Sequence, residues 1–186
     1  IMPGKTFTPL AALGEDLATN SVTCSSPSKS FNIPGAGSAF AVIPDPEKRD
    51  AFRRAAERMG AMDMPNLFSA AAAEAAYREG EEWLEEVKSY IWDNYLFLED
   101  FCRRRLPDLR VHPLEGTYVV WIDFRGLGLS AREMDTALRD ARVRPSPGEI
   151  FGPGGEGFYR LNIACPRELL RQGLERIAAA FPGTGK

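Results

Sequence analysis

Apolar positions divide the chain into three textures. In the first, Leu10, Leu13 and Leu17 fall at spacings of three and four with Glu15 and Asp16 between them, which predicts an amphipathic helix over 9–19 closed by Asn20. Residues 21–25 read as a short strand. The unbroken run Ala39-Phe40-Ala41-Val42-Ile43 predicts a strand buried on both faces. Pro46 stands near the first position of a helix over 46–60, with Phe52, Ala55, Ala56 and Met59 on its inner face. Lys48, Arg49, Arg53, Arg54 and Glu57 make the rest of that helix a solvated surface, not a binding patch. Residues 60–65 break the pattern. An Ala-rich helix then follows from Asn66, read as its N-cap, through Ala76, with Leu67, Ala71 and Ala75 four apart.

The second texture is one long helix over 80–106. Trp83, Val87, Tyr90, Ile91, Asn94, Leu98, Phe101 and Cys102 recur mostly at three and four, and Pro107 stops the run. Its length of roughly 40 Å, at 1.5 Å per residue, suffices to cross a domain boundary. The aromatic stripe reads as core and not as a cofactor box. The third texture alternates strand and helix. Residues 109–112 and 117–124 are strands joined by a turn at 113–116. Ser130 with Glu133 forms a capping box for a helix over 131–142, with Met134, Leu138 and Ala141 inward. A glycine-rich stretch over 148–157 leads to a strand in which Phe158, Arg160 and Asn162 share a face. The last helix opens at Cys165-Pro166-Arg167-Glu168 and ends at Pro182-Gly183, with Leu170, Leu174, Ile177, Ala178 and Phe181 inward.

Composition narrows the function classes. The 186 residues are 44% hydrophobic and 26% charged with a formal net charge of -3, a soluble globular chain able to bury one sizeable core or two small ones. Such mild acidity leaves no basic footprint for nucleic acid, and Arg103-Arg104-Arg105 sits at a helix end where cations favour the dipole. No run of about 18 apolar residues and no amino-terminal signal pattern is visible, which argues against membrane insertion and secretion and for the cytoplasm. Cys24, Cys102 and Cys165 are odd in number and widely spaced, as reduced thiols would be, and unlike a disulfide framework or a metal site. His112 reads as a strand-end residue, so nucleophile-plus-histidine hydrolysis finds no support. Gly-Ala-Gly-Ser-Ala-Phe at 35–40 lacks the third glycine and the helix of a dinucleotide fingerprint. The opening Ile1-Met2-Pro3 suggests a fragment.

Two positions carry candidate chemistry. Lys29 lies among small hydroxyl residues after a strand. It reads either as a surface-loop lysine or as an amine placed to attack a carbonyl, which requires a desolvated or cation-flanked pocket. Arg160 shares a strand face with Phe158, where an unpaired buried charge is costly. It reads either as half of an internal salt bridge or as a guanidinium gripping a ligand carboxylate through two parallel hydrogen bonds.

Ser-Pro-Ser-Lys-Ser-Phe-Asn-Ile-Pro-Gly at 26–35 resembles the Schiff-base lysine segment of pyridoxal-phosphate enzymes of the class I/II aminotransferase superfamily, in its cystathionine β-lyase branch. Tyr-Arg-Glu-Gly-Glu-Glu-Trp-Leu at 77–84, Gly-Thr-Tyr-Val-Val-Trp-Ile-Asp-Phe-Arg at 116–125 and Phe-Gly-Pro-Gly-Gly-Glu-Gly-Phe-Tyr-Arg-Leu-Asn-Ile-Ala-Cys-Pro-Arg at 151–167 fit the same branch. The resemblance implies an α/β chain forming the carboxy-terminal part of the aspartate aminotransferase-like fold. Residues 1–90 would then be the end of the large cofactor-binding domain and 91–186 the small α+β domain, joined by the long helix.

The resemblance further implies that Lys29 joins covalently to pyridoxal 5'-phosphate, that the Ser26 hydroxyl contacts the cofactor phosphate, and that Arg160 holds the substrate's α-carboxylate. Eight positions after the lysine, where the wider superfamily often has a phosphate-binding arginine, this chain has Gly37, a departure from aspartate-type aminotransferases. The implied reaction is carbon–sulfur β-elimination from a cysteine thioether such as cystathionine, releasing thiol, pyruvate and ammonia, with Lys29 as general base. An aminotransferase is the alternative, and a catalytically incomplete regulatory or interaction protein is the alternative of another class. The family's cofactor-ring contacts fall before the equivalent of Ile1. The chain alone is therefore expected to bind cofactor weakly and to expose apolar surface, and the intact enzyme to be a homodimer.

Overall fold

The computed structural model describes residues 2–60 and 66–182. The chain forms two compact units, Thr6–Val87 and, together with Ile1–Lys5, Lys88–Lys186.

In the unit Thr6–Val87 the expected helix over 9–19 is divided. A 3-10 turn at Leu10–Ala12 and a short helix α1 (Glu15–Thr19) are separated at Gly14, whose extended backbone (φ 160, ψ 158) stops the first from running into the second. Leu10, Leu13 and Leu17 are exposed. Strands β1 (Thr23–Ser25) and β2 (Phe40–Val42) pair antiparallel, with Cys24 opposite Ala41. The expectation of a strand buried on both faces is corrected here. Phe40 and Val42 are 47% and 51% exposed. An apolar run buries both faces only between two covering layers, and β1 and β2 form a two-stranded sheet of their own.

Helix α2 (Pro46–Arg58) starts as its sequence requires, with Pro46 in the first turn and the Asp45 side chain accepting from the Lys48 amide at 2.8 Å. The Lys48 ammonium reaches back to the Thr19 carbonyl (3.1 Å) and Asn20 Oδ1 (2.8 Å) at the end of α1. Of the expected inner face only Ala56 is buried, while Phe52 and Met59 are exposed. Gly60, at φ 66, follows the helix, and the rest of the expected break, residues 61–65, lies outside the described residues. The Asn66 side chain caps α3 (Leu67–Glu79) by accepting from the Phe68 amide at 2.9 Å. That helix runs three residues beyond the expected end at Ala76.

Helix α4 (Glu81–Arg105) matches the expected long helix, and Ile91, Asn94, Leu98, Phe101 and Cys102 of the predicted stripe are buried together with Tyr95, whereas Trp83 and Tyr90 at its start are exposed. Beyond it, β3 (Arg110–Val111), β4 (Val119–Asp123), β5 (Ser146–Pro147) and β6 (Phe158–Asn162) form an antiparallel sheet in the order β3-β4-β6-β5. Val120, Ile122 and Tyr159 face the core from this sheet, joined by Phe124. Helix α5 (Ala131–Asp140) contributes Met134 and Leu138, and α6 (Arg167–Ala180) contributes Leu170, Leu174 and Ile177. The predicted capping box is complete, with the Ser130 side chain on the Glu133 amide and the Glu133 carboxylate on the Ser130 amide. Helix α5 stops two residues short of the expected end, and Arg142 turns the chain at φ 57. Pro182 follows α6, and Gly183 lies outside the described residues.

A buried amide ties this unit together. Asn94, 0% exposed, donates from Nδ2 to the carbonyls of Ile163 (2.8 Å) and Cys165 (2.9 Å) and accepts from Arg167 Nε at 2.6 Å. The Arg167 guanidinium lies 4.9 Å from the Phe97 ring centre, and its amide donates to the Tyr90 hydroxyl at 2.7 Å. Thus α4 grips the segment between β6 and α6 through polar groups, and the Asn94–Ile163 bond among them is buried from water. Among the described residues no helix is long and apolar enough to cross a membrane.

Candidate functional site

The lysine turn is built from its hydroxyls outward. The Ser26 hydroxyl donates to the Ser38 carbonyl at 2.6 Å and accepts from the Ser28 amide at 3.1 Å. Having one proton to give, it leaves Ser28 as the donor in the 2.9 Å hydroxyl contact between them. The Phe31 amide bonds the Pro27 carbonyl at 2.9 Å, the Ile33 amide bonds the Ser28 carbonyl at 3.0 Å, and the Pro27 side chain is fully buried. The backbone on both sides of Lys29 is therefore pinned, while Lys29 itself is exposed. Within its own unit, Lys29 does not have the desolvated surroundings that carbonyl attack requires.

Two residues on, Phe31 anchors the turn. Its ring meets Tyr77 edge-on at 5.7 Å and stacks on Trp83 at 6.3 Å. The ring lies against the backbone at Gly80, where a Cβ would stand 2.7 Å from Phe31 and 2.5 Å from the Ala76 carbonyl oxygen. The stripe reading assigned Trp83 to a core, but it is 44% exposed and serves this turn. The link between Phe31 and the stretch 77–83 arises from chain reversal and has no periodic signature.

Arg160 lies on β6 opposite Trp121 of β4 and Ser146 of β5, partly buried. Its guanidinium carbon is 4.4 Å from the centre of the Phe151 ring. Among the described residues no carboxylate pairs with it, so the internal salt bridge is not formed there. Trp121 meets Phe151 edge-on at 5.7 Å and stacks on Phe158 at 5.5 Å with the planes 15° apart. At the far end of this row Arg125 covers Phe158, also at 4.4 Å. Arg125, unlike Arg160, is closed by Asp123, with bonds of 2.9 Å and 2.8 Å. The Arg125 hydrogen bond holds the Asp123 carboxyl below the usual range for aspartate.

The glycine-rich segment sets the row in place. A Cβ on Gly148 would stand 2.2 Å from the Gly155 carbonyl oxygen and 2.9 Å from Trp121. The close approach of these two backbones seats the 3-10 turn Gly148–Phe151 beside Trp121. Sequence reasoning singled out Arg160 but missed Phe151 and Trp121, whose roles depend on strand register and on the return of this loop.

Ser26 and Lys29 thus share one turn in one unit, and Arg160 belongs to the other. Among the described residues no cluster of three or more His, Cys, Asp or Glu could hold a metal ion. Cys24, Cys102 and Cys165 are free thiols. Burial pushes the Cys102 thiol up to about 12.

Comparison with known proteins matches the chain to one family. The family model described as aminotransferase class I and II matches residues 2–177. The chain is 42% identical to cystathionine beta-lyase PatB of Bacillus subtilis (strain 168) over 96% of its length and 46% of the relative's. It is 34% identical to Protein MalY of Escherichia coli (strain K12), over 83% of its own length and 40% of the relative's. The solved structure of cystalysin from Treponema denticola, which contains a pyridoxal 5'-phosphate cofactor, superposes with a TM-score of 0.92 at 34% identity, covering 97% of this chain and 46% of that one. The chain spans about half the length of the curated relatives it matches. With a family match that runs almost from end to end, the chain belongs to the aminotransferase class I and II family.

Proposed function

We propose that this chain supplies the covalent lysine and the carboxylate-binding arginine of a pyridoxal-phosphate-dependent carbon–sulfur β-lyase acting on cysteine thioethers such as cystathionine. The observation that carries the reading is Arg160. A guanidinium fixed over an aromatic ring, partly buried and without a carboxylate among the described residues, suits a carboxylate that arrives with a ligand.

The residues of the lysine turn fit the cofactor chemically. Lys29 offers a primary amine on a pinned turn, and the Ser26 hydroxyl becomes a phosphate donor by turning away from the Ser38 carbonyl. Gly37 brings no charge to that phosphate. Pyridoxal phosphate, when bound, supplies the electron sink that makes the substrate Cα–H acidic. Arg160 grips the α-carboxylate and sets the orientation of Cα. Lys29 Nζ removes the Cα proton as general base. In the elimination the Cβ–S bond breaks and the electron pair leaves on sulfur as thiolate. Water then completes the release of pyruvate and ammonia. We place the enzyme in the cytoplasm as a homodimer, without a nucleic-acid or membrane partner, and sedimentation velocity tests the stoichiometry.

The deciding experiment gives cystathionine to the full-length, cofactor-loaded enzyme and follows thiol and pyruvate. Stoichiometric release of both is expected. Keto-acid exchange without thiol release would make the protein an aminotransferase, and neither reaction would favour a regulatory or interaction role.

A further inference from the structure

We infer that Phe151 is a positioning residue for the carboxylate-binding step, holding the Arg160 guanidinium over its ring so that no hydrogen-bonding partner takes the N–H donors that the ligand needs. This deepens the proposed function and rests on it. Two arginines stand at the two ends of one aromatic row, Phe151–Trp121–Phe158, each 4.4 Å from a ring centre. Asp123 occupies the donors of Arg125. The side chain of Arg160 has no hydrogen-bond or ion-pair partner among the described residues, and its contact is the ring of Phe151.

The difference has a chemical consequence. A salt bridge would fix Arg160 by consuming the planar N–H fork that a substrate carboxylate needs. An aromatic face attracts the cation through the ring quadrupole and leaves that fork unspent. Phe151 is itself 48% exposed, so core packing does not explain its place. It is braced instead by the edge contact with Trp121 and by the Gly148–Gly155 backbone approach that seats its turn. The row thus holds the guanidinium at the Phe151 ring without competing for its donors.

The test is a set of variants in the holoenzyme with cystathionine. Phe151→Leu keeps the bulk and removes the ring, and should raise KM about fivefold, the scale of a partly desolvated cation–π contact, with kcat changed less than about twofold. Phe151→Tyr should restore most of that loss. In an Arg160→Lys background, which itself raises KM, the added effect of Phe151→Leu should fall below about twofold, because coupled neighbours are not additive. The Arg160 Nε–Hε resonance should also move when the Phe151 ring is removed. If Arg160→Lys raises KM but Phe151→Leu does not, this inference fails and the proposed function stands. An equal Phe151→Leu penalty in both backgrounds would assign Phe151 a purely structural role and overturn the inference. If Arg160→Lys leaves KM unchanged, the carboxylate-binding assignment fails and the inference fails with it.

Discussion

Asn94 is the most exacting place to test how the arginine-bearing unit is held together. Replacing it by leucine keeps the size of the side chain and removes three hydrogen bonds: two donated to the Ile163 and Cys165 carbonyls and one accepted from Arg167. The Ile163 bond is buried, so its orphaned carbonyl bears most of the penalty, about 1–3 kcal/mol for an unsatisfied buried group. The Cys165 and Arg167 bonds are partly accessible and lose less, because water replaces part of what Asn94 gave. Burial of the new apolar surface offsets roughly 1 kcal/mol. The net expectation is a loss of about 3 kcal/mol, equivalent to a fall in Tm of roughly 6–12 °C for a chain of this size. Urea unfolding followed by circular dichroism measures it, with the slope expected to stay constant while the midpoint moves. Asn94→Asp should lose at least as much at neutral pH, since the carboxylate oxygen that replaces Nδ2 would face the Ile163 and Cys165 carbonyl oxygens, where the amide now donates. A change below about 0.5 kcal/mol in Asn94→Leu, typical of an unremarkable surface site, would refute the reasoning.

Other outcomes follow from the same geometry. Arg125 depresses the Asp123 carboxyl in the folded state, so the ion pair's stabilisation is present above the unfolded value near pH 3.9 and is lost as pH falls through the lower folded value. The stability gap between wild type and Asp123→Asn should accordingly be constant near neutrality and close under acid, as read by urea midpoints across pH. Thiol labelling with iodoacetamide should modify exposed Cys24 in the native protein and reach Cys102, which is 2% exposed, only on unfolding. Peptide mapping of native and denatured samples checks this. The 186 residues by themselves should bind pyridoxal phosphate weakly, since Lys29 is exposed and Gly37 leaves the phosphate charge unmet. A stable yellow absorbance abolished by Lys29→Ala would contradict that expectation.

Legibility in the sequence followed the range of the interactions. The α4 stripe, the Ser130–Glu133 capping box, the Asn66 cap and the strand β4 are set by residues within a few positions of each other, and each was readable. Burial was not, because it depends on partners elsewhere. Phe40, Val42, Phe52 and Met59 carry apolar side chains in the right periodicity and still face outward. The division of the first helix turned on the extended backbone at Gly14, which interrupts a good leucine spacing. Around the candidate site, residue chemistry alone drew attention to Lys29 and Arg160. Their aromatic holders, Phe31 with Tyr77 and Trp83 and Phe151 with Trp121, come together only through register and loop return, which single-residue chemistry does not encode.

The glycine-rich loop before β6 contains glycines that are irreplaceable for unlike reasons, and this governs how the loop can be engineered. At Gly148 and Gly155 the obstacle is space, since an added carbon would meet backbone oxygen at 2.2 Å in either case. At Gly154 the obstacle is handedness, because φ is 85 and nothing lies within 4 Å of an added carbon. Mirror-image alanine introduced by chemical ligation would relieve the second constraint, since a positive φ is its ordinary range. The loop can therefore be stiffened at its tip by inverted stereochemistry, whereas its base has no room for an L side chain.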